Sequence, residues 1–566
     1  MARPRADDIV RFLVRVVAPS EVAAAVTSGV DLIRWQDFAE MTEGLFDRLA
    51  AQAVPQAAEA AATQGYFSAE VDVAVDRGKQ PVEVTITVSP GLQTAISDVR
   101  INVTGAATAT VEGHAVIARM REDWLLPRGD AFNQRTWTAA KDATVRTMAA
   151  NSYAAARMTE SEAKVDPEAR SADLSVTLDS GPAFHFGRFD FNGLNRYTPE
   201  MVNNFSSIQP GSRYNEQVLD DFVRRLLGSG YFASVQATID ADPANAKAAP
   251  VTFAFIEAPT RRLEAGLGYS TDTQYRISAN YVNLDTFGSA LQFYADARIE
   301  TKIQQASVRF VRPPTAGGWI DTYGMQLTGT DIENLQTTTA SISGRRRGLD
   351  ERRTPAFGLG FYIDEQTPFG FDTIRSHALY VDGEYTWRNV DSLLEPTRGW
   401  MANVKVGAGI PGASTEQFGR VIARAVAWYP LSKSNSLSAR VEVGAVIADT
   451  REGIPSNFLF RTGGDTTVRG YAFESLGVAQ GAAIVGGRYL AVASVEAVHW
   501  VTPAWGIAAF VDAGNAADTP SAALLPALGY GLGARLRTPI GPFRLDLAYG
   551  QESKGVRLHF SVGLSF

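Results

Sequence analysis

From residue 263 onward, apolar and polar positions alternate with a period of two, in segments of about ten to twelve residues divided by turn chemistry. The last segment shows the rule. Val556, Leu558, Phe560, Val562, Leu564 and Phe566 fall on one face, and Arg557, His559, Ser561, Gly563 and Ser565 on the other. A slip of one residue would move Arg557 to the apolar face, at about 2–4 kcal/mol in the middle of a bilayer. The neighbours behave alike: Phe543, Leu545, Leu547 and Tyr549 read outward against Arg544, Asp546 and Gly550, and Tyr530, Leu532, Ala534 and Leu536 against Gly531, Gly533, Arg535 and Arg537. Sixteen segments begin near 263, 274, 289, 302, 323, 337, 357, 377, 399, 418, 436, 489, 505, 527, 541 and 556. The even number suits a closed antiparallel barrel whose outer face meets lipid.

Before residue 260 the periodicity changes. A unit of roughly 80 to 90 residues recurs, which is the first feature to seek in a long chain. Its mark is a helix ending in an aromatic turn that enters a strand: Gly65-Tyr66-Phe67 before 71–75, Ser152-Tyr153-Ala154 before a degenerate stretch, and Gly230-Tyr231-Phe232 before 235–239. Glycine suits the helix C-cap, and the aromatic then packs on the next sheet. Alternating strands close the units at 82–89, 172–179 and 251–256, and new strands begin at 96–103 and 186–191. Over 216–228, Val218, Leu219, Phe222, Leu226 and Leu227 share one helical face. Each unit therefore reads strand, helix, helix, strand, strand. The predicted architecture is multi-domain: three small α+β domains at 1–92, 93–182 and 183–260, then a 16-stranded antiparallel transmembrane β-barrel at 261–566.

Composition narrows the function classes. Gly 50, Phe 29 and Tyr 18 with 20% charged residues suit many short strands. No run of about 18 apolar residues occurs, so the chain cannot span a bilayer as a helix. A net charge of −8 with a pI near 5.4 argues against a nucleic-acid-binding face. The absence of cysteine removes disulfides and thiolate metal sites. His114, His185, His377, His499 and His559 are scattered without metal-ligand spacing, and neither a G-x-S-x-G elbow nor a P-loop occurs. No catalytic residue, metal or cofactor is expected, and the protein is read as no enzyme. The apolar run 9–17, broken by Arg11 and Arg15, is a poor signal peptide, so the numbering is expected to start at a trimmed or mis-assigned position. Arg345 to Arg347 with Arg352 and Arg353 read as a solvated or lipopolysaccharide-facing run.

The candidate chemistry lies where the strands stop. Residues 448–488 form the longest gap between segments, where a tight hairpin would be expected, and within it 458–471 reads F-L-F-R-T-G-G-D-T-T-V-R-G-Y. The gap joins segments eleven and twelve, making it the sixth outer loop. By parity Glu496, Phe510 and Asp512 point into the lumen, and Val495, Val511 and Ala513 toward lipid. Two inward carboxylates on adjacent strands call for a cation. Arg469 carries a planar five-donor head that can bridge both, and Gly470 permits close approach to the wall. Gly266 and Gly268 on the first strand and Gly563 on the last are inward. They weaken the closing seam, or they only make room for an inserted loop.

The motif Val468, Arg469, Gly470 and Tyr471, paired with F-V-D-A-G from Phe510 through Asp512 to Gly514, resembles the signature of the outer-membrane assembly superfamily, which includes BamA, TamA and the two-partner secretion transporters. The domain repeat with its G-Y-F turn resembles the polypeptide-transport-associated (POTRA) domain, which in that family sits in the periplasm and recruits partners. Terminal Phe566, with Phe560, resembles the C-terminal signal for barrel insertion, and 396–400, P-T-R-G-W, the family's P-T-x-G turn. The resemblance implies a loop held in the lumen by the Arg469 clamp on Glu496, Phe510, Asp512 and Gly514, and a lateral seam through which client strands reach the membrane.

Three domains before the barrel most resemble TamA-type members. That implies an outer-membrane component of a Gram-negative bacterium that helps insert or translocate clients such as autotransporters. It also implies a TamB-like inner-membrane-anchored partner, contact with unfolded clients and outer-membrane lipid, and no nucleic acid. The alternatives are a BamA-like general insertase, a two-partner-type pore for one substrate, and a passive channel.

Overall fold

A computed structural model describes residues 9–393, 395–538 and 541–565, with 541–542 and 561–565 described by backbone only. The chain divides into two compact units, Met1–Asn192 with Ile208–Arg224 and Gln236–Ala254, and Gly193–Ser207 with Arg225–Val235 and Phe255–Phe566.

Three three-stranded sheets precede the barrel. In the first, Phe12–Val17 runs parallel to Val82–Ser89, which pairs antiparallel with Glu70–Asp76 on its other side. The second is built the same way from Ala95–Thr104, Ser171–Asp179 and Arg157–Asp166, and the third from Phe186–Asn192, Ala249–Glu257 and Phe232–Ile239. A parallel pair needs a crossover, which the helices supply. These are chiefly Ser20–Gly29 and Glu43–Thr63, then Val111–Glu122 and Gln134–Ala150, then Pro199–Asn203 and Glu216–Gly228. Several helix starts are fixed by side-chain caps: Thr110 Oγ1 accepts from the Gly113 amide at 3.1 Å, and Asn133 Oδ1 from the Arg135 and Thr136 amides at 3.0 and 3.1 Å.

The run 9–17, read as a poor signal peptide, supplies a strand of the first sheet. Arg15 falls on the solvent side of that strand and Arg11 lies exposed just before it, while Phe12 enters the first core, with Val14 and Val16 packed against it. The middle unit is also more regular than its sequence suggests. The stretch read as degenerate is a ten-residue strand, Arg157–Asp166. Ser152 replaces the turn glycine yet holds φ of 74°, beside 89° at Gly65 and 82° at Gly230. Its hydroxyl donates to the Tyr214 carbonyl at 2.9 Å, which helps hold a left-handed conformation that serine otherwise disfavours, and Tyr153 enters the core.

The barrel strands, named here β1 to β16, are β1 Arg261–Ser270, β2 Gln274–Thr286, β3 Leu291–Glu300, β4 Ile303–Val311, β5 Trp319–Ile332, β6 Leu335–Gly348, β7 Arg353–Pro368 and β8 Ile374–Val390. They continue as β9 Gly399–Ser414, β10 Gly419–Pro430, β11 Asn435–Ile447, β12 Tyr489–Trp500, β13 Trp505–Ala517, β14 Ala527–Thr538, β15 Gly541–Gly550 and β16 Gly555–Ser565. All neighbours are antiparallel, and β1 closes on β16. Closure leaves no exposed edge, which a strand-built membrane span requires. Leu263, Leu267, Ile277, Val511, Leu532, Leu547 and Leu558 stand exposed on the outer wall, while Asp512, Asp546 and His559 are buried inside. No described helix is long and apolar enough to cross a membrane.

Two ends of this frame matter for function. The turn after Glu216–Gly228 is fastened to the barrel rim: Gln292 Nε2 donates to the Ser229 carbonyl at 2.7 Å and the Tyr231 hydroxyl to the Ala290 carbonyl at 2.6 Å. Burial pushes the Tyr231 phenol up, so it stays protonated and a donor. Tyr231→Phe is expected to cost about 1 kcal/mol and to speed amide exchange in the 287–292 turn. Unchanged exchange there would mean that the hydroxyl does not hold the rim.

The P-T-R-G-W turn is organised by a residue outside the motif. Asp391 accepts from the amides of Ser392, Thr397 and Arg398 at 2.9, 3.0 and 3.1 Å. The Thr397 hydroxyl and these amides hold its carboxyl well below the usual carboxylate range.

Of the arginine run, Arg346, Arg347, Arg352 and Arg353 are exposed, as a solvated run would be, but the lipopolysaccharide-facing reading is corrected. Arg345 to Arg347 lie inside β6, at the end of the barrel where the chain enters at Arg261, so they face away from the outer leaflet that holds lipopolysaccharide. Arg345 pairs with Asp382 at 3.0 Å and with Glu384, and Arg346 grips Asp321 through two bonds of 2.7 and 2.8 Å.

Candidate functional site

The loop between β11 and β12 spans residues 448–488 and packs into the lumen. Phe458, Phe460, Val468 and Tyr471 form an apolar cluster with Tyr380, Phe418, Ile422, Leu490, Val492 and Ala516 of the inner wall. Wall side chains fix its backbone. Asp364 accepts from the Ser456 amide and hydroxyl, both at 2.8 Å, Arg420 Nε donates to the Phe458 carbonyl at 2.9 Å, and Arg440 holds the carbonyls of Thr466 and Thr467. A hairpin within the loop, Val478–Gln480 with Ala483–Val485, is tied to the β5–β6 turn by the Ile484 amide on the Glu333 carbonyl at 3.0 Å. A polar cavity of about 940 Å³ remains between the loop and the wall, lined in part by Arg298, Arg309, Thr339, Arg424 and Arg461.

At the centre is Arg469. Nε and Nη2 meet the two oxygens of Asp512 at 2.7 and 3.0 Å, and Nη1 meets Glu496 at 2.7 Å and Asp546 at 3.1 Å. The guanidinium lies 3.4 Å from the centroid of the Phe510 ring, a cation–π contact between two buried side chains. Asp512 also accepts from the Arg469 amide at 3.1 Å and the Ser494 hydroxyl at 2.6 Å. Both arginine and aspartate are almost wholly buried, at 7% and 0% side-chain exposure, so their charges interact with little solvent screening.

The motif's other residues are placed just as closely. Val468 is fully buried against Gly514, where a Cβ would come within 2.9 Å of Val468 Cγ2. Gly470 has φ of 94°, and a Cβ there would lie 2.7 Å from the Gly550 amide nitrogen. The Tyr471 hydroxyl donates to the Leu528 carbonyl at 3.0 Å and accepts the Glu552 amide at 3.1 Å.

Sequence reasoning gathered one cation and two carboxylates; the structure gathers more. Asp546 on β15 and Arg535 on β14 complete a five-membered network, with Arg535 on Glu496 at 2.7 Å and on Asp546 at 2.5 Å. Both had been placed inward by parity, but parity carries no information about height or about which inward residues converge. His559, one of the five scattered histidines, accepts the Gly470 amide at Nε2, 2.9 Å away. No group of histidines and acids suited to a metal occurs among the described residues.

The seam residues are brought together in register. Gly268 stands opposite Gly563 and Gly266 opposite Ser565, and the described β1–β16 pairing runs from Gly266 to Ser270. On its other edge β1 pairs with β2 from Arg261 to Ser270. A glycine opposite a glycine forfeits the cross-strand contact that elsewhere contributes about 0.2–1 kcal/mol per pair. Phe560 is half-buried on β16, and Phe566 lies outside the described residues.

Residues 225–566 match the family model of the Omp85 superfamily domain, residues 184–258 that of a POTRA domain described as a surface antigen variable number repeat, and residues 18–90 that of POTRA domain TamA domain 1. The chain is 26% identical over 357 residues to the outer membrane protein assembly factor BamA of Neisseria meningitidis serogroup B, covering 56% of this chain and 44% of that one. It is 23% identical over 341 residues to the protein of the same name from Nitratidesulfovibrio vulgaris, covering 55% and 42%. It thus spans less than half the length of these relatives. The crystal structure of BamA from Haemophilus ducreyi lacking POTRA domains 1–3 shares the fold, with a TM-score of 0.57 at 16% identity over 83% of this chain and 100% of that one.

Proposed function

The chain belongs to the Omp85 superfamily, and from that premise we propose that it is a translocation and assembly component of the outer membrane, one that helps insert or translocate client proteins such as autotransporters. It is an outer-membrane barrel with periplasmic POTRA domains, and the task fits that placement. The observation that carries the reading is the β1–β16 seam, where Gly268 faces Gly563 without side-chain pairing. A client strand can exchange main-chain hydrogen bonds with such a seam at lower cost than at a seam knitted by large side chains. The POTRA domains, taken at 1–92, 93–182 and 183–260, recruit clients and a TamB-like partner anchored in the inner membrane. The match of residues 18–90 to a TamA-type domain favours that partner. The work is not catalysis and uses no cofactor; its energy comes from client folding and strand pairing.

A general BamA-like insertase is the second reading, favoured by the curated relatives. A quantitative outer-membrane proteome after depletion separates them. Loss confined to a subset such as autotransporters is expected; loss of most barrels would replace the proposal by the general insertase, and loss of one exported protein by a dedicated secretion pore.

A further inference from the structure

The segment 465–470 of the loop meets both sides of the seam, not only the wall that bears the Arg469 network. On the β1 side it meets Asp272, in the tight turn between β1 and β2. The buried Asp272 accepts the Asp465 amide at 2.8 Å, and its own amide donates to Ser270 Oγ at 3.2 Å. Gly464, with φ of 107°, brings the chain so close that a Cβ would lie 2.5 Å from Asp272 Oδ2.

On the β16 side the segment meets His559, also buried, whose Nε2 accepts the Gly470 amide at 2.9 Å. Because Nε2 accepts, the ring proton of the neutral imidazole sits on Nδ1, which faces Asp272 Oδ1 at 3.6 Å. That nitrogen has no hydrogen-bond partner at bonding distance. Between the two anchors the seam ends: the Thr271 amide donates to the Phe560 carbonyl at 2.9 Å, and the Phe560 amide to the Thr271 hydroxyl at 3.1 Å.

Two buried side chains, one from each edge strand's side, thus hold one short loop segment, and Arg469 fixes that segment to β12, β13 and β15. We propose that the loop is a clasp across the outer end of the β1–β16 seam, with Asp272 and His559 as its positioning residues. Displacement of the loop from the lumen and parting of the seam's outer end are then one event. This goes beyond the assembly reading and holds whatever passes through the seam.

The test needs no client. The chain contains no cysteine, so Tyr269→Cys and Leu558→Cys, both on the exposed outer wall beside the seam, accept nitroxide labels specifically. The purified full chain in lipid nanodiscs is expected to give one narrow label-to-label distance by pulsed electron resonance. His559→Leu, which removes the acceptor, and Asp272→Ala are each expected to add a longer, broader population. His559→Gln keeps an acceptor oxygen and is expected to restore the narrow one. Narrow distances in both His559→Leu and Asp272→Ala would overturn the clasp, as would a glutamine variant that behaves like leucine, since bulk alone would then be at issue. Circular dichroism reports barrel folding in each variant. Should His559→Leu fail to fold, Asp272→Ala, on a turn outside the strands, decides alone.

Discussion

Arg469→Ala is expected to lower the stability of the folded barrel by about 3–5 kcal/mol, the usual penalty for removing one partner of a buried ion pair. The native network holds two cations, Arg469 and Arg535, against three carboxylates, Glu496, Asp512 and Asp546, so its net charge is −1. Alanine makes it −2 in a site that water barely reaches. Arg535 still serves Glu496 and Asp546, but Asp512 loses both guanidinium bonds and keeps only the Ser494 hydroxyl and a backbone amide. The motif should loosen from the wall, because Arg469 is the side chain that joins it to β12, β13 and β15. Arg469→Lys restores the charge and not the fork. A single ammonium cannot meet Asp512 bidentately while reaching Glu496 and lying over Phe510, so an intermediate loss is expected. Denaturant midpoints of the purified protein in detergent check both variants. An alanine variant within about 0.5 kcal/mol of the parent would remove the clamp from the account of this fold.

Locking the seam is expected to abolish client insertion while leaving the barrel intact. Gly268→Cys with Gly563→Cys places two thiols on directly opposed residues, a spacing that antiparallel neighbours bring within disulfide reach. Under oxidising conditions, insertion of a barrel client into vesicles containing the locked protein should fall to background, and a reductant should restore it. Two controls are needed: each single substitution, which shows what the lost glycine costs by itself, and Ala279→Cys with Ala297→Cys, which bridges β2 to β3 away from the seam. If the locked seam still inserts clients as fast as the reduced one, the seam is not their route, and the glycines serve only to admit the loop.

Much of this was legible in the residues because membrane strands obey a strict rule. One face of every strand must be apolar, so alternation reports both where a strand lies and which residues look inward. All sixteen strands begin within four residues of the segments read from that pattern. The loop of 448–488 stood out for the complementary reason: a stretch that breaks the alternation cannot cross lipid. The sheet domains were harder, since a left-handed turn normally announces itself by glycine, and Ser152 holds one through a bond to Tyr214, distant in sequence. Likewise 9–17 read only as a poor signal peptide, and its parallel partner at 82–87 shows a strand with a period of two.

The sequence by itself determined the strands, their facing, the loop, and the pairing of Arg469 with Glu496 and Asp512, because each follows from local periodicity and from charge on adjacent strands. Tertiary structure alone decided that Asp546 and Arg535 join that network, and that Asp272 and His559, 287 residues apart in number, flank one loop segment at the seam. Parity places a side chain inside the barrel but gives neither its height nor its neighbours across the lumen. Those depend on the stagger of the closed strands and on where the loop comes to rest, and both are set only when the last strand meets the first.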